Sequence, residues 1–579
     1  MKSRSSWWYA ALTALAMLIL GLAGPVSAAT ERASPTERGP GAGVGAGAQE
    51  SAADAVAAMQ PGWNLGNTLD ATGPDETSWG NPRVTREQLR AIRAQGFNSV
   101  RIPVTWSQHQ GPAPAYAIDP DHLARVTEVV DWALEEDLYV LLNVHHDSWQ
   151  WVMDMPAQRE AVLARFTATW DQIAAAVRDA PERLLLESIN EPFFEGSSGD
   201  AQNAELLHEL NSVFVDRVRD TGGTNATRPL VLTTLHASPE QERADELAET
   251  IEIIGDPQLV ATVHFYGYWP FSVNVAGGTR FDAVARQDLT DTFDRVHDAF
   301  TARGVPVIVG EYGLLGFDRS TDTIQQGEKL KFFEFLGGYA RQKQLTTMWW
   351  DNGQHFDRTA LTWRDPALYR QISSSWTVDS ATGSTDQVFV PAAGAPQPAT
   401  VALSLAGTTV TAVRHGADEL VAGTDYTVGG DQLTLAADTL ARLTADRPHG
   451  VTAVLSVAFA RGVPWDLHII RYEPPVLSDT TGTTSGTGIP TDFRGDRLAT
   501  MEAVYADGGN AGPHDWTSYK EFGAAFAPDY GGGLITLTPE FFDEVRDGST
   551  VLLTFHFWSG ATVTYTLDRD GGTVTGTVG

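Results

Sequence analysis

The chain has 579 residues, 42% of them hydrophobic, so it is expected to fold into several packed cores and disorder is not the default. Its 40 basic and 73 acidic side chains leave a formal charge of −33, which argues against nucleic acid or an anionic membrane as partner. Cysteine is absent, which excludes disulfides, zinc–thiolate centres and thiol nucleophiles together.

The N-terminus carries Lys2 and Arg4, then an apolar run over residues 10–23, then the small residues Val26-Ser27-Ala28. That order predicts a signal peptide over residues 1–28, hence a secreted, extracellular protein with no membrane attachment after cleavage. Residues 29–55, rich in Gly, Ala, Pro and Ser at their start, are expected to be a flexible linker.

Residues 56–375 alternate short apolar runs with longer amphipathic stretches. The runs cover 62–67, 99–104, 139–144, 184–189, 229–234, 259–264, 306–311 and 346–351. Eight strand–helix units predict an α/β fold, a (β/α)8 TIM barrel; an open doubly wound sheet is the alternative. The pattern then shifts to short alternating segments between Gly, Asp and Thr turns. Residues 385–474 and 491–579 are expected to be two small all-β sandwich domains, separated by a Thr- and Gly-rich linker over 475–490. Within them an Asp-Tyr turn (Asp425-Tyr426, Asp529-Tyr530), a threonine strand (Leu433-Thr434-Leu435, Ile535-Thr536-Leu537) and a Leu/Phe strand recur in order. Duplication and independent origin are both open readings.

Reactive groups of a TIM barrel sit at the C-terminal ends of its strands. Here those ends read Asn64-Leu65-Gly66-Asn67, His145-His146-Asp147, Asn190-Glu191-Pro192, His264-Phe265-Tyr266, Gly310-Glu311-Tyr312 and Trp349-Trp350-Asp351-Asn352, with Arg101 near the end of another. Two carboxyl groups facing each other across a barrel mouth suit glycoside hydrolysis. One donates a proton to the leaving oxygen and the other, ionised, attacks the anomeric carbon. Glu191 and Glu311 end the fourth and seventh runs and are the candidates. An arginine at position 101 would hold Glu311 ionised, and Asn190 can hydrogen-bond a sugar 2-hydroxyl. His145, His146, His264 and Tyr266 suit hydroxyls and carboxylates, and a tryptophan at the eighth strand offers a flat face to a sugar ring. Successive strand residues face opposite ways, so only one of Trp349 and Trp350 can do so. The His145-His146-Asp147 set could hold a metal, but paired glutamates suffice without one, so neither metal nor cofactor is expected.

Seven motifs, from Gly62-Trp63-Asn64-Leu65-Gly66-Asn67 through Val100-Arg101-Ile102-Pro103, Asn143-Val144-His145-His146, Ile189-Asn190-Glu191-Pro192, Val263-His264-Phe265-Tyr266 and Val309-Gly310-Glu311-Tyr312-Gly313 to Trp349-Trp350-Asp351-Asn352-Gly353, resemble in order the strand-end motifs of glycoside hydrolase family 5. The likeness is to its bacterial endoglucanase and xyloglucanase branch. It implies Glu191 as acid/base and Glu311 as nucleophile, with Asn67, Arg101, His145, His146, Asn190, His264, Tyr266 and Trp350 as the cleavage subsite. The last two domains resemble an Ig-like module and a carbohydrate-binding module of family 46. Trp516, Tyr519 and Trp558 are that module's candidate sugar contacts; for Trp558, in an apolar strand, core packing is the competing reading.

The expectation is a monomeric, retaining endo-β-1,4-glucanase acting on cell-wall β-glucan. A mannanase or transglycosylase on the same barrel, and a non-catalytic polysaccharide-binding protein, are the alternatives.

Overall fold

Each of the eight apolar runs contributes a parallel strand. They are β1 (Gly62–Asn64), β2 (Ser99–Ile102), β3 (Tyr139–Asn143), β4 (Leu184–Glu187), β5 (Leu230–Thr233), β6 (Leu259–Phe265), β7 (Val307–Tyr312) and β8 (Thr346–Trp349), and they close into a barrel in chain order. Every strand residue except Tyr139 is buried, because helices cover the outside while side chains fill the inside. Hence the sequence shows continuous apolar runs there instead of strict alternation. The computed structural model describes residues 50–579. The expected signal peptide and residues 29–49 of the expected linker lie outside the described residues.

Alternation along the strands divides the interior into two levels. Leu141, Leu185, Val231, Val260, Ile308 and Met348 form an apolar floor. Two residues further along β3, β4 and β5, on the same inward face, stand Asn143, Glu187 and Thr233. The barrel is therefore greasy at the base and polar at the mouth.

A helix over Ala52–Met59 seals the base, burying Ala52, Val56 and Met59 against that floor. Ser51 caps it by accepting from the Asp54 amide at 3.1 Å. The linker expected to run to residue 55 therefore ends sooner. Composition misled because alanine is common both in linkers and in helices; the spacing of Ala52, Val56 and Met59 is helical.

Each C-terminal domain is a pair of sheets. The first has the order 382–383, 399–404, 432–435, 426–429 in one sheet and 387–391, 465–472, 450–459, 410–415, 418–419 in the other. The second has 476–477, 487–492, 534–537, 526–529 and 480–483, 573–578, 562–570, 550–557, 498–505. The four-stranded sheets share one topology, and each domain has a short helix (Ala437–Thr444, Pro539–Asp543) before its longest hairpin. The recurrence noticed in the sequence is thus topological, with one register corrected. Tyr426, which starts its strand, corresponds to Phe526 and not to Tyr530, since Ala422–Tyr426 and Phe522–Phe526 form matching bridges.

The linker expected over 475–490 is a second correction. Val476–Leu477, Thr480–Thr483 and Thr487–Asp492 are strands of the terminal domain. Threonine is β-branched and favours a pleated surface, and Thr487, Ile489 and Thr491 alternate inward. The domains also lean on the barrel. Gln325 donates to Asp386 at 2.6 Å, Glu334 accepts from the Ser380 amide, and Asn274 donates to the Ala499 carbonyl at 3.0 Å.

Candidate active site

The polar level of the barrel is organised by Arg101, which is fully buried on β2. Its Nε and Nη2 donate to the two carboxylate oxygens of Glu187 at 2.7 and 3.0 Å. Its Nη1 donates to Glu311 at 2.7 Å and to Asn64 at 3.1 Å, and Nη2 also reaches Asn190 Oδ1 at 2.7 Å. Burial disfavours the guanidinium charge, but Glu187 and Glu311 more than offset that cost, so Arg101 stays cationic. One planar fork thereby fixes four side chains from β1, β4 and β7 and the loop after β4.

Glu311 accepts from Arg101 on Oε1 and from the Tyr266 hydroxyl on Oε2, the latter at 2.6 Å. Burial pushes its pKa up, yet His264, Arg101 and Tyr266 outweigh burial and hold it below the ordinary carboxylate value. The same environment pushes the Tyr266 phenol well above its usual range, through burial and the adjacent Glu311, so it remains a donor.

A bulge aims Glu311. Val263 pairs with Val309 but His264 pairs with Glu311, leaving Gly310 as the extra residue. A Cβ at Gly310 would lie 2.8 Å from Thr262 Oγ1 and 3.3 Å from His264 Nε2. Gly310→Ala is expected to displace the bulge and lower kcat/KM by about 10²-fold, the cost of misplacing a reacting group by roughly 1 Å. Steady-state kinetics beside a melting curve would check this; unchanged kcat/KM would refute it.

Glu191 lies four residues past the end of β4 in a left-handed conformation, φ +40°. Its Oε1 is 2.7 Å from His264 Nδ1, which also lies 3.6 Å from Glu311 Oε2. Burial works against the His264 imidazolium, but the two glutamates raise its pKa above the ordinary value. Carboxylate oxygens of Glu191 and Glu311 lie within 4.8 Å of each other with His264 between them. Separations near 5 Å are those of double displacement, whereas inversion needs room for a water between the carboxyls.

A second cluster, Asp70–His145–His146, also brings three potential metal donors within 4.8 Å. Its groups are otherwise engaged. Asp70 accepts from the Thr68 and Asn67 amides at 2.7 and 3.0 Å. Asn143 Oδ1 accepts from Val104 N, so its amide nitrogen donates to His145 Nδ1 at 3.0 Å, which leaves the hydrogen of neutral His145 on Nε2. Burial, His146 and Arg101 all hold His145 well below its ordinary value. His145 therefore suits donation to a hydroxyl better than metal ligation.

The remaining expected residues gather beside it. Trp350 lies parallel to His145 within 6°, with centroids 6.1 Å apart, and its ring approaches Gly66 so closely that a Cβ there would meet it at 2.8 Å. Trp349 is 1% exposed and stacks on Trp363, so of the two tryptophans it is Trp350 that stands beside His145. His146 accepts from the Trp149 indole at 2.9 Å and packs against Trp79 at 5.2 Å. Asn67, at φ +54°, lines a depression of about 360 Å³ with Trp79 and Asn81.

Residues 66–356 match the cellulase family, glycosyl hydrolase family 5; 383–469 match the carbohydrate binding domain X2, and 473–577 match the carbohydrate-binding domain of family 46. Endoglucanase B of Paenibacillus lautus is 52% identical over 541 residues, covering 93% of this chain and 95% of that protein. The full-length tri-modular endo-β-1,4-glucanase B of Bacillus halodurans is 48% identical with a TM-score of 0.90, covering 92% of this chain and 100% of that one. A tri-modular family 5, subfamily 4 endo-β-1,4-glucanase of Bacillus licheniformis, complexed with cellotetraose, is 32% identical with a TM-score of 0.77, covering 91% of this chain and 99% of that one. The chain belongs to glycoside hydrolase family 5. It is an endoglucanase of the cellulase type, and its family hydrolyses with retention through two glutamates.

In this family 5 enzyme the terminal module meets the barrel close to the mouth. Trp516 is 50% exposed, 5.9 Å from the barrel's Trp269. Buried Lys520 donates to the carbonyls of Pro513, His514 and Thr517 at 3.0, 3.3 and 2.8 Å, and so shapes the loop that carries Trp516. Tyr519 lies over the backbone of Gly277, and Arg280 covers the Trp558 ring at 4.8 Å. Trp558 is thus neither in the core nor wholly open; its strand ends at Phe557.

Sequence reading places none of Asn64, Asn143 and Glu187 in the site. The signal was available, since all three stand at the polar end of strands on the inward face. Nothing pointed to Trp79 or His236, which sit on loops.

Proposed function

We propose that Glu191 is the acid/base and Glu311 the nucleophile of a secreted endoglucanase that cleaves β-1,4-linked glucans. The observation that carries the assignment is the asymmetric environment of two carboxyls within 4.8 Å. Glu311 is stabilised as an anion by Arg101 and Tyr266, while Glu191 shares its contact with a titratable imidazole that can pass a proton. Glu311 attacks the anomeric carbon as Glu191 protonates the departing oxygen. Glu191 then takes a proton from water, which displaces Glu311 from the same carbon. Asn190, fixed by Arg101, faces the 2-hydroxyl; His145, His146, Asn67 and Trp350 hold the glycone sugar.

The order of barrel, X2 domain and family 46 domain supports a broad substrate range. Cellulose derivatives, mixed-linkage glucan and xyloglucan are the expected substrates, with the exposed Trp516 placed against the barrel's Trp269. The modular order and the signal-like N-terminus support an extracellular location, and among the described residues no helix is long and apolar enough to cross a membrane. The test is reducing-sugar release from a polysaccharide panel. Activity on mixed-linkage glucan and xyloglucan, lost in Glu311→Gln, is the expected result. Activity confined to mannan or xylan overturns the substrate assignment.

A further inference from the structure

Two rings lie together on the rim beside Glu191. Phe193 follows it by two residues and is half-buried; His236 stands just past β5 in the turn Leu235–Ala237 and is exposed at its edge. The rings are parallel within 9°, with centroids 5.9 Å apart. The His236 amide donates to the Pro192 carbonyl at 2.8 Å, which ties this turn to the loop that carries Glu191.

The turn is strained. His236 and Ala237 are both left-handed, at φ +58° and +51°. The left-handed region is unfavourable for an L-residue other than glycine, and paired strain of this kind gathers where function needs it. Ala237 goes into the core, so the strain serves to turn the imidazole outward over the rim. Among the described residues no group hydrogen-bonds its ring nitrogens. Burial, helped by the charge of Arg243, holds the imidazolium form down against the pull of Glu191, which leaves a neutral ring able to stack and to bond a hydroxyl.

Its place in the barrel gives the side. The residues Asn67, His145, His146 and Trp350 belong to the ends of β1, β3 and β8, while Phe193 and His236 follow β4 and β5. Glu191 stands next to this second group and protonates the leaving oxygen. We infer that the Phe193–His236 pair is the platform for the leaving-group glucose and, in reverse, for an acceptor sugar. The inference rests on Glu191 being the acid/base.

In the acceptor direction a sugar hydroxyl replaces water. Its oxygen bonds to the anomeric carbon, the bond to Glu311 breaks, and the hydroxyl proton goes to Glu191. The experiment compares cellotetraose, whose leaving group is a sugar, with β-cellobiosyl fluoride, whose leaving group is not. For His236→Ala, kcat/KM on cellotetraose is expected to fall about tenfold and on the fluoride less than about twofold. Transfer from the fluoride to added cellobiose, relative to hydrolysis, should fall with it, and His236→Phe should retain most of both. Equal losses on the two substrates, or an unchanged transfer ratio, overturn the platform. Glu191→Ala is run in parallel: wild-type cleavage of cellotetraose by that variant would instead refute the acid/base assignment.

Discussion

Glu311→Ala is expected to lose turnover of an aryl β-cellobioside by about 10⁴-fold or more, and azide is expected to restore part of it. The reason is stereochemical. Without the carboxylate, the small anion occupies the space beside Arg101 and Tyr266 and attacks the anomeric carbon from below, giving the α-cellobiosyl azide. In Glu191→Ala the covalent intermediate still forms with a good leaving group, and azide then displaces Glu311 to give the β-azide. The two products read out the two roles without reference to rate. A β-azide from Glu311→Ala, or no rescue in either variant, would remove the assignment. Magnetic resonance of the isolated azides decides it.

The second large effect is expected at Arg101. Lysine keeps the charge but cannot reach Glu187 in a fork while also touching Glu311, Asn64 and Asn190. Arg101→Lys should lower kcat/KM by about 10²–10³-fold, since the nucleophile loses its orientation and some of its ionisation. The pH dependence follows from the direction of the Glu311 shift. Its folded pKa is depressed, so its contribution to stability is present above the unfolded value and lost as pH falls through the folded one. Weakening the pair raises the folded value. The acid limb of kcat/KM and the acid unfolding midpoint should therefore both move to higher pH. Removing a partner from a buried charge pair costs about 3–5 kcal/mol, and lysine should incur part of that. An acid limb that stays in place would show that Arg101 acts on packing alone.

The barrel and its chemistry were legible because they repeat one signal. Eight buried strands give eight apolar runs, and six of those end in polar or aromatic groups that no core needs. The same period of two, carried one step further, would have found Glu187 from Leu185 and Asn143 from Leu141. What stayed hidden depended on tertiary context. The helix at Ala52–Met59 reads as linker until the barrel floor supplies something to bury it against. The strands at 476–492 read as linker because Thr and Gly serve both turns and edges. His236 carries no sequence signal, since its exposure comes from a backbone conformation that favours glycine.

The terminal module is joined to the barrel by a backbone hydrogen bond and by side-chain contacts. Phe522 N donates to the Asn274 carbonyl at 3.1 Å, and Arg319, seven residues past the end of β7, pairs with Glu540 at 3.0 Å. A tethered module would add avidity by searching a volume set by its leash. This one has no leash to search with. Fixed in this way, it is expected to act as a jaw whose hold on a polymer and the polymer's entry into the mouth are a single event; a long spacer inserted at residue 473 should then turn one cooperative grip into two independent weak ones.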